Sequence, residues 1–187
     1  MNKRFITEDQ MIEDGFRLGL QIYESGFEPT FIVGLWRGGA AVGIVVQECL
    51  QTLGVRTDHI AIRTSYSGMD EYQPDTQREI RVHGTGYVLE RLNRDDRLLI
   101  VDDVCSSGRS VQEVIARLRQ GTRRNMPVDV RVATCWVRPH PEAAVRPDYF
   151  VNESSDWLVF PYELKGLSRE EIAVEKSFVL PLLGDLP

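Results

Sequence analysis

Long apolar runs are missing from this chain: nothing approaches the roughly 18 to 20 consecutive apolar residues that a bilayer-spanning helix needs. The opening MNKRFITEDQ carries no apolar h-region, so neither a membrane span nor a secretory signal is expected, and a cytoplasmic location is. Cysteine is scarce. Cys49, Cys105 and Cys135 are odd in number and far apart, with no C-x-x-C and no histidine at ligand spacing, which argues against a disulfide framework or a zinc site and fits reduced thiols. Positive charge is short as well: 22 Lys and Arg stand against 28 Asp and Glu, a net charge of -6. That is the wrong sign for a protein that neutralises nucleic-acid phosphates, although a local pocket can still take a small anion. Repeats, low-complexity tracts and dividing linkers are also lacking. With 42% hydrophobic residues in 187, one domain with one core is expected over 1–187.

What is present alternates between two periodicities. Thr7 can cap a helix, with Gln10 placed for a capping box, and Ile12, Phe16, Gly19/Leu20 and Tyr23 recur at helical spacing up to Gly26. Thr30–Leu35 (TFIVGL) reads as a strand that breaks at Trp36-Arg37-Gly38-Gly39 and passes into a helix with Val42, Val45, Val46, Cys49, Leu50 and Leu53. HIAIR at 59–63 is a strand, and 64–86 is polar with almost no apolar periodicity, which reads as a flexible flap. Tyr87–Asn93 is open between strand and helical turn. Arg97–Val101 is a buried strand, 102–110 a loop, and Val111, Val114, Ile115 and Leu118 mark a helix up to Gly121. Val128–Val137, Asp148–Val151 and Trp157–Phe160 are further strands, and Ser168–Lys176 is a short capped helix. Strand–helix alternation implies an α/β fold, a twisted and mostly parallel sheet with helices on both faces. Its ligands belong at the carboxyl ends of the strands, where 36–39 and 102–110 fall.

The segment LLIVDDVCSSGRS, Leu98–Ser110, carries the chemistry. Two carboxylates close a buried strand, then small hydroxyl residues and a glycine open a helix. Free amides of 106–110 and the positive end of the helix dipole can hold a phosphate, with Ser106, Ser107 and Ser110 as further donors and Gly108 admitting close approach. Asp102 and Asp103 would then meet ribose hydroxyls or hold Mg²⁺ through water. The plainer alternative is a capped turn with two solvated acids.

VDDVCSSGRS resembles the 5-phosphoribosyl 1-diphosphate (PRPP) signature of the type I phosphoribosyltransferases. Gly34-Leu35-Trp36-Arg37-Gly38-Gly39 is similar to the diphosphate loop of the 6-oxopurine members; Thr64-Ser65-Tyr66 with Gln77-Arg78-Glu79 to the two ends of their catalytic flap; and Asp148-Tyr149-Phe150-Val151 with Trp157–Glu163 (WLVFPYE) to their base-binding hood, placed here in 138–166. The resemblance spans roughly 30 to 165.

It implies purine salvage: ribose 5-phosphate moves from PRPP to hypoxanthine, guanine or xanthine, giving a nucleoside monophosphate and diphosphate, with Mg²⁺ on the leaving group. By the resemblance Arg37 is catalytic together with Asp102 and Asp103, which also form the metal site. Gly38 and Gly39 take diphosphate, and Cys105, Ser106, Ser107, Gly108, Arg109 and Ser110 hold PRPP. Ser65 and Tyr66 belong to the flap. Trp157 stacks on the base, backbone groups from Leu158 onwards read its edge, and Arg138 reaches the 6-oxo group, where the family usually has lysine. A homodimer or higher homo-oligomer is also implied.

One departure is chemical. Ser106 stands where the 6-oxopurine enzymes usually carry an aspartate that acts on the purine N7 proton, and a serine needs an activating neighbour to serve as a base. Either Asp102, Asp103, Asp70 or Glu71 serves instead, or the base arrives already anionic, or turnover is slow, while His59, His83 and His140 read as structural or exposed. The Gly108-Arg109-Ser110 version of the loop is also similar to that of the pyrimidine-operon attenuation proteins, which keeps open a regulator that senses PRPP or nucleotide without catalysis, as well as a transferase for another base.

Overall fold

The computed structural model describes residues 2–66 and 79–184. In chain order the elements are β1 (Lys3–Phe5), α1 (Glu8–Glu24), β2 (Phe31–Trp36), α2 (Gly38–Thr52), β3 (Asp58–Tyr66), β4 (Ile80–His83), α3 (Gly86–Arg91), β5 (Arg97–Cys105), α4 (Arg109–Thr122), β6 (Asp129–Val137), β7 (Tyr149–Glu153), β8 (Trp157–Val159), α5 (Arg169–Glu175) and α6 (Val179–Leu183). Six strands form one sheet in the order β4-β3-β2-β5-β6-β7, parallel except for β4. Strand periodicity sorts its side chains into two layers. Ile32, Leu99, Val101, Ala133 and Cys135 meet Leu18 and Ile22 of α1 and Val42, Val46 and Leu50 of α2. Phe31, Val33, Leu35, Leu98 and Ile100 meet Val88 of α3 and Val111, Val114 and Leu118 of α4. Helices therefore cover both faces, as expected. Among the described residues no helix is long and apolar enough to cross a membrane.

Several boundaries differ from the sequence reading. The stripe Ile12, Phe16, Leu20 and Tyr23 on α1 faces outward, each residue 40–46% exposed, while the inner face carries Leu18 and Ile22 with Gly15 and Gly19. The glycines let α1 approach α2 closely, so fewer large apolar residues are needed there. The polar stretch 64–86 is narrower than expected: Thr64–Tyr66 and Ile80–His83 are antiparallel partners, with Tyr66 opposite Ile80. The alternation of Ile80 and Val82 with Arg81 and His83 supplies the period of two. Residues 87–91 are helical within α3. The strand ending expected at Val101 runs on to Cys105, because Asp102, Val104 and Cys105 continue the ladder opposite Thr134, Trp136 and Val137. The acid pair thus lies on a strand, not in a loop. Between β2 and α2 only Arg37 lies outside both elements, and the Trp36–Arg37 peptide is cis.

A second, two-stranded sheet pairs β1 with β8 in parallel, Lys3 beside Trp157 and Phe5 beside Val159. It stands over the carboxyl end of the main sheet. Leu158 and Phe160 turn into the main core, and Trp157 and the buried Val159 line a cavity on the other face. Behind it, the capping box of α5 is complete: Ser168 Oγ accepts from the Glu171 amide and the Glu171 carboxylate accepts from the Ser168 amide.

Candidate active site

Three segments converge beyond the carboxyl ends of β2 and β5. From β5, Asp103 is pinned at both oxygens. Oδ1 accepts from the Val104 amide at 2.8 Å, and Oδ2 accepts from the Tyr162 hydroxyl at 2.5 Å. The Asp103 amide in turn donates to Asp102 Oδ1 at 3.0 Å. Burial holds the Asp102 carboxyl well above its ordinary range, and the neighbouring Asp103 charge adds to the effect. Burial, then the Asp103 charge, raises the Tyr162 phenol too.

From α2, Gly38 is fixed by what surrounds it. A Cβ there would lie 1.8 Å from Asp103 Oδ2 and 2.1 Å from the Tyr162 hydroxyl, so only glycine fits. Gly39 abuts the Val101 carbonyl in the same way. Arg37 precedes them, exposed, its guanidinium 3.8 Å from Glu163. Burial raises the Glu163 carboxyl, while its hydrogen bond from the Phe160 amide and the Arg37 charge oppose the shift.

The third segment is the turn into α4. Gly108 caps the helix at φ +68°, and a Cβ there would meet the Val145 carbonyl at 2.6 Å. Arg109 and Ser110 begin the helix, so its first amides face the turn. Ser107 accepts at its carbonyl from the Ala144 amide at 2.7 Å. Cys105 is buried with its thiol near the Val145 carbonyl, and burial, then the Asp102 charge, pushes the thiol up to about 11. A thiol held this far above its ordinary value is a poor nucleophile near neutral pH.

Arg138 and Trp157 come together, though not as two independent contacts for a base. The Arg138 guanidinium lies 5.2 Å from the Trp157 ring centroid and its Nε donates to Ser106 Oγ at 3.3 Å. A planar ligand stacking on Trp157 uses the other face or displaces the guanidinium. Trp157 and Val159 line a cavity of about 320 Å³ with Lys3, Glu163, Lys165 and Leu167. The Trp157 amide donates to Asn2 and the Val159 carbonyl accepts from Ile6, so the backbone groups of Leu158 point to the opposite edge of β8.

Of the flap residues, Ser65 Oγ lies 3.0 Å from His83 Nε2, and Tyr66 closes β3. Asp70, Glu71 and Gln77-Arg78 fall outside the described residues. The other histidines have local partners: His59 Nδ1 lies 3.2 Å from Gln47 Oε1, and His140 Nδ1 accepts from the Glu142 amide. Sequence reasoning missed Lys176, a buried lysine that donates to the Phe160 and Pro161 carbonyls at 2.8 and 2.7 Å. It also missed Lys3, Lys165 and the side chain of Tyr162. Of these only Tyr162 had a signal, its place inside WLVFPYE.

The phosphoribosyl transferase domain model matches residues 6–166. The chain belongs to the phosphoribosyltransferase family. Its fold is that of purine phosphoribosyltransferases: the Pyrococcus horikoshii purine phosphoribosyltransferase superposes with a TM-score of 0.67 at 23% identity, covering 90% of this chain and 99% of that one. The Helicobacter pylori xanthine-guanine-hypoxanthine phosphoribosyltransferase gives 0.66 at 16%, covering 87% and 95%. Among curated proteins, the bifunctional protein PyrR of Macrococcus caseolyticus is 24% identical over 152 residues, 80% of this chain and 83% of its relative.

Proposed function

We propose that this phosphoribosyltransferase transfers ribose 5-phosphate from PRPP to a 6-oxopurine in purine salvage. The observation that carries the reading is the meeting of Gly38, Asp103 and Tyr162 beside the turn into α4. These three belong to the segments that this reading takes as diphosphate loop, sugar-gripping acid and base hood, and their closeness supports it. The amides at the start of α4, with Ser107 and Ser110, take the 5-phosphate. Asp102 and Asp103 accept from the ribose hydroxyls, and the Gly38 and Gly39 backbone with Arg37 takes the diphosphate. The base rests against Trp157 while the backbone of Leu158 reads its edge.

The donor set fits Mg²⁺ of the substrate-borne kind. Two adjacent carboxylates are present, and among the described residues no group of three or more His, Cys, Asp or Glu side chains could hold a metal alone. Asp102 and Asp103 would hold such an ion through water beside PRPP oxygens. When bound, it would neutralise charge developing on the leaving diphosphate. The chain's own part is electrostatic and steric: Arg37 faces the negative charge that builds as the C1–O bond lengthens, and the hood and flap keep water from the oxocarbenium-like carbon.

Ser106 accepts from Arg138, and among the described residues it has no hydrogen bond to a histidine or carboxylate that could activate it as a base. This favours a second reading, a PRPP or nucleotide sensor without catalysis. The deciding experiment supplies PRPP and Mg²⁺ with hypoxanthine, guanine, xanthine, adenine or uracil and follows diphosphate release. Release with a 6-oxopurine alone, reduced about 100-fold or more in Asp103→Asn, is expected. Silence across the panel with PRPP still bound would leave the sensor, and release with adenine or uracil would replace the base assignment.

A further inference from the structure

Tyr162 belongs to the hood by sequence and to the PRPP site by contact. Its ring stacks on Phe160, with centroids 5.7 Å apart and planes 5° from parallel, and its hydroxyl leaves that stack to reach Asp103 Oδ2 at 2.5 Å. The residue is 36% exposed, yet the hydroxyl lies within 2.1 Å of where a Gly38 Cβ would stand. The turn bearing it is fixed from behind. Lys176 donates to the Phe160 and Pro161 carbonyls, the Glu163 amide donates to the Phe160 carbonyl, and the Glu163 carboxylate accepts from the Phe160 amide.

The two oxygens of Asp103 are thus held differently. Oδ1 is held by its own strand, through the Val104 amide. Oδ2 is held only by the hood among the hydrogen bonds of the described residues. We propose that Tyr162 is a positioning residue for PRPP: its phenol sets the orientation of Asp103, so the hood that receives the base also prepares the acid that grips the ribose. The inference rests on the phosphoribosyl reading of Asp103. It assigns to a residue of the base hood an effect on the other substrate.

Tyr162→Phe deletes the hydroxyl and keeps the ring on Phe160, so it tests the contact without emptying the hood. PRPP binding in Mg²⁺ is measured by calorimetry, and the KM of the 6-oxopurine is measured at saturating PRPP. The expected result is PRPP bound roughly tenfold more weakly, with the base KM within about twofold and the melting temperature nearly unchanged. Unchanged PRPP affinity overturns the proposal. So does a shift confined to the base, or an equal loss of both, since either marks Tyr162 as a structural part of the hood. Failure of the unaltered protein to bind PRPP is a separate result, seen before any substitution, and it removes the phosphoribosyl reading together with this one.

Discussion

Asp102 and Asp103 follow one another on β5 and both carboxylates come up against the first residues of α2, but only Asp103 meets the hood. Asp102 is left in a buried place beside a like charge, which raises its pKa. The sign of the consequence is fixed by linkage: the folded chain holds the Asp102 proton more tightly than the unfolded chain, so stability present in acid is lost as pH rises from about 4 through the raised value. Asp102→Asn removes that titration. It should melt a few degrees higher than the unaltered chain at pH 8, converge with it below about pH 4, and lose PRPP binding. Melting curves at the two pH values check this. A variant no more stable at pH 8 would mean that the carboxylate is already offset by its surroundings.

At the scale of elements, legibility followed the range of the interactions. The caps of the helices that open at Thr7 and Ser168 were readable because a cap is settled within four residues. β5 was readable as far as Val101, but the acid pair that follows interrupts the apolar run, and Asp102–Cys105 continue the strand because β6 lies alongside. β1 and β4 were missed because three or four half-exposed residues carry little pattern without a partner, and the partner of β1 lies over 150 residues away. Lys176 was illegible for the same reason: a lysine ending a short helix looks solvated until Phe160 and Pro161 are placed above it. Its burial predicts its effect. Lys176→Met leaves the Pro161 carbonyl without its donor and the Phe160 carbonyl with the Glu163 amide alone, which should cost about 1 to 3 kcal/mol and loosen the turn that holds Tyr162 and Glu163. Chemical denaturation should show the loss, and the base KM should rise more than basal stability alone explains. An unaltered denaturation midpoint would show that water replaces the ammonium without penalty.

For the whole molecule, the proposed function puts the two substrates on different supports: PRPP on the ends of β2 and β5 and the start of α4, the base on the separate small sheet of β1 and β8. A ligand that binds only the folded chain stabilises it by an amount set by its concentration over its dissociation constant, about 2.7 kcal/mol at a hundredfold excess. For a chain of this size that corresponds to a rise in melting temperature of about 5 to 10 °C. PRPP with Mg²⁺ should therefore raise the melting temperature by that amount, although the protein carries a net charge of -6, because the binding turn presents amides rather than the mean surface. Trp157→Ala should keep this shift and lose the further increment that a 6-oxopurine adds with PRPP present. Thermal melts with PRPP, with base, and with both separate the two supports. If the substitution removes the PRPP shift as well, the two supports are a single unit, and the base cannot be assigned to the Trp157 sheet on its own.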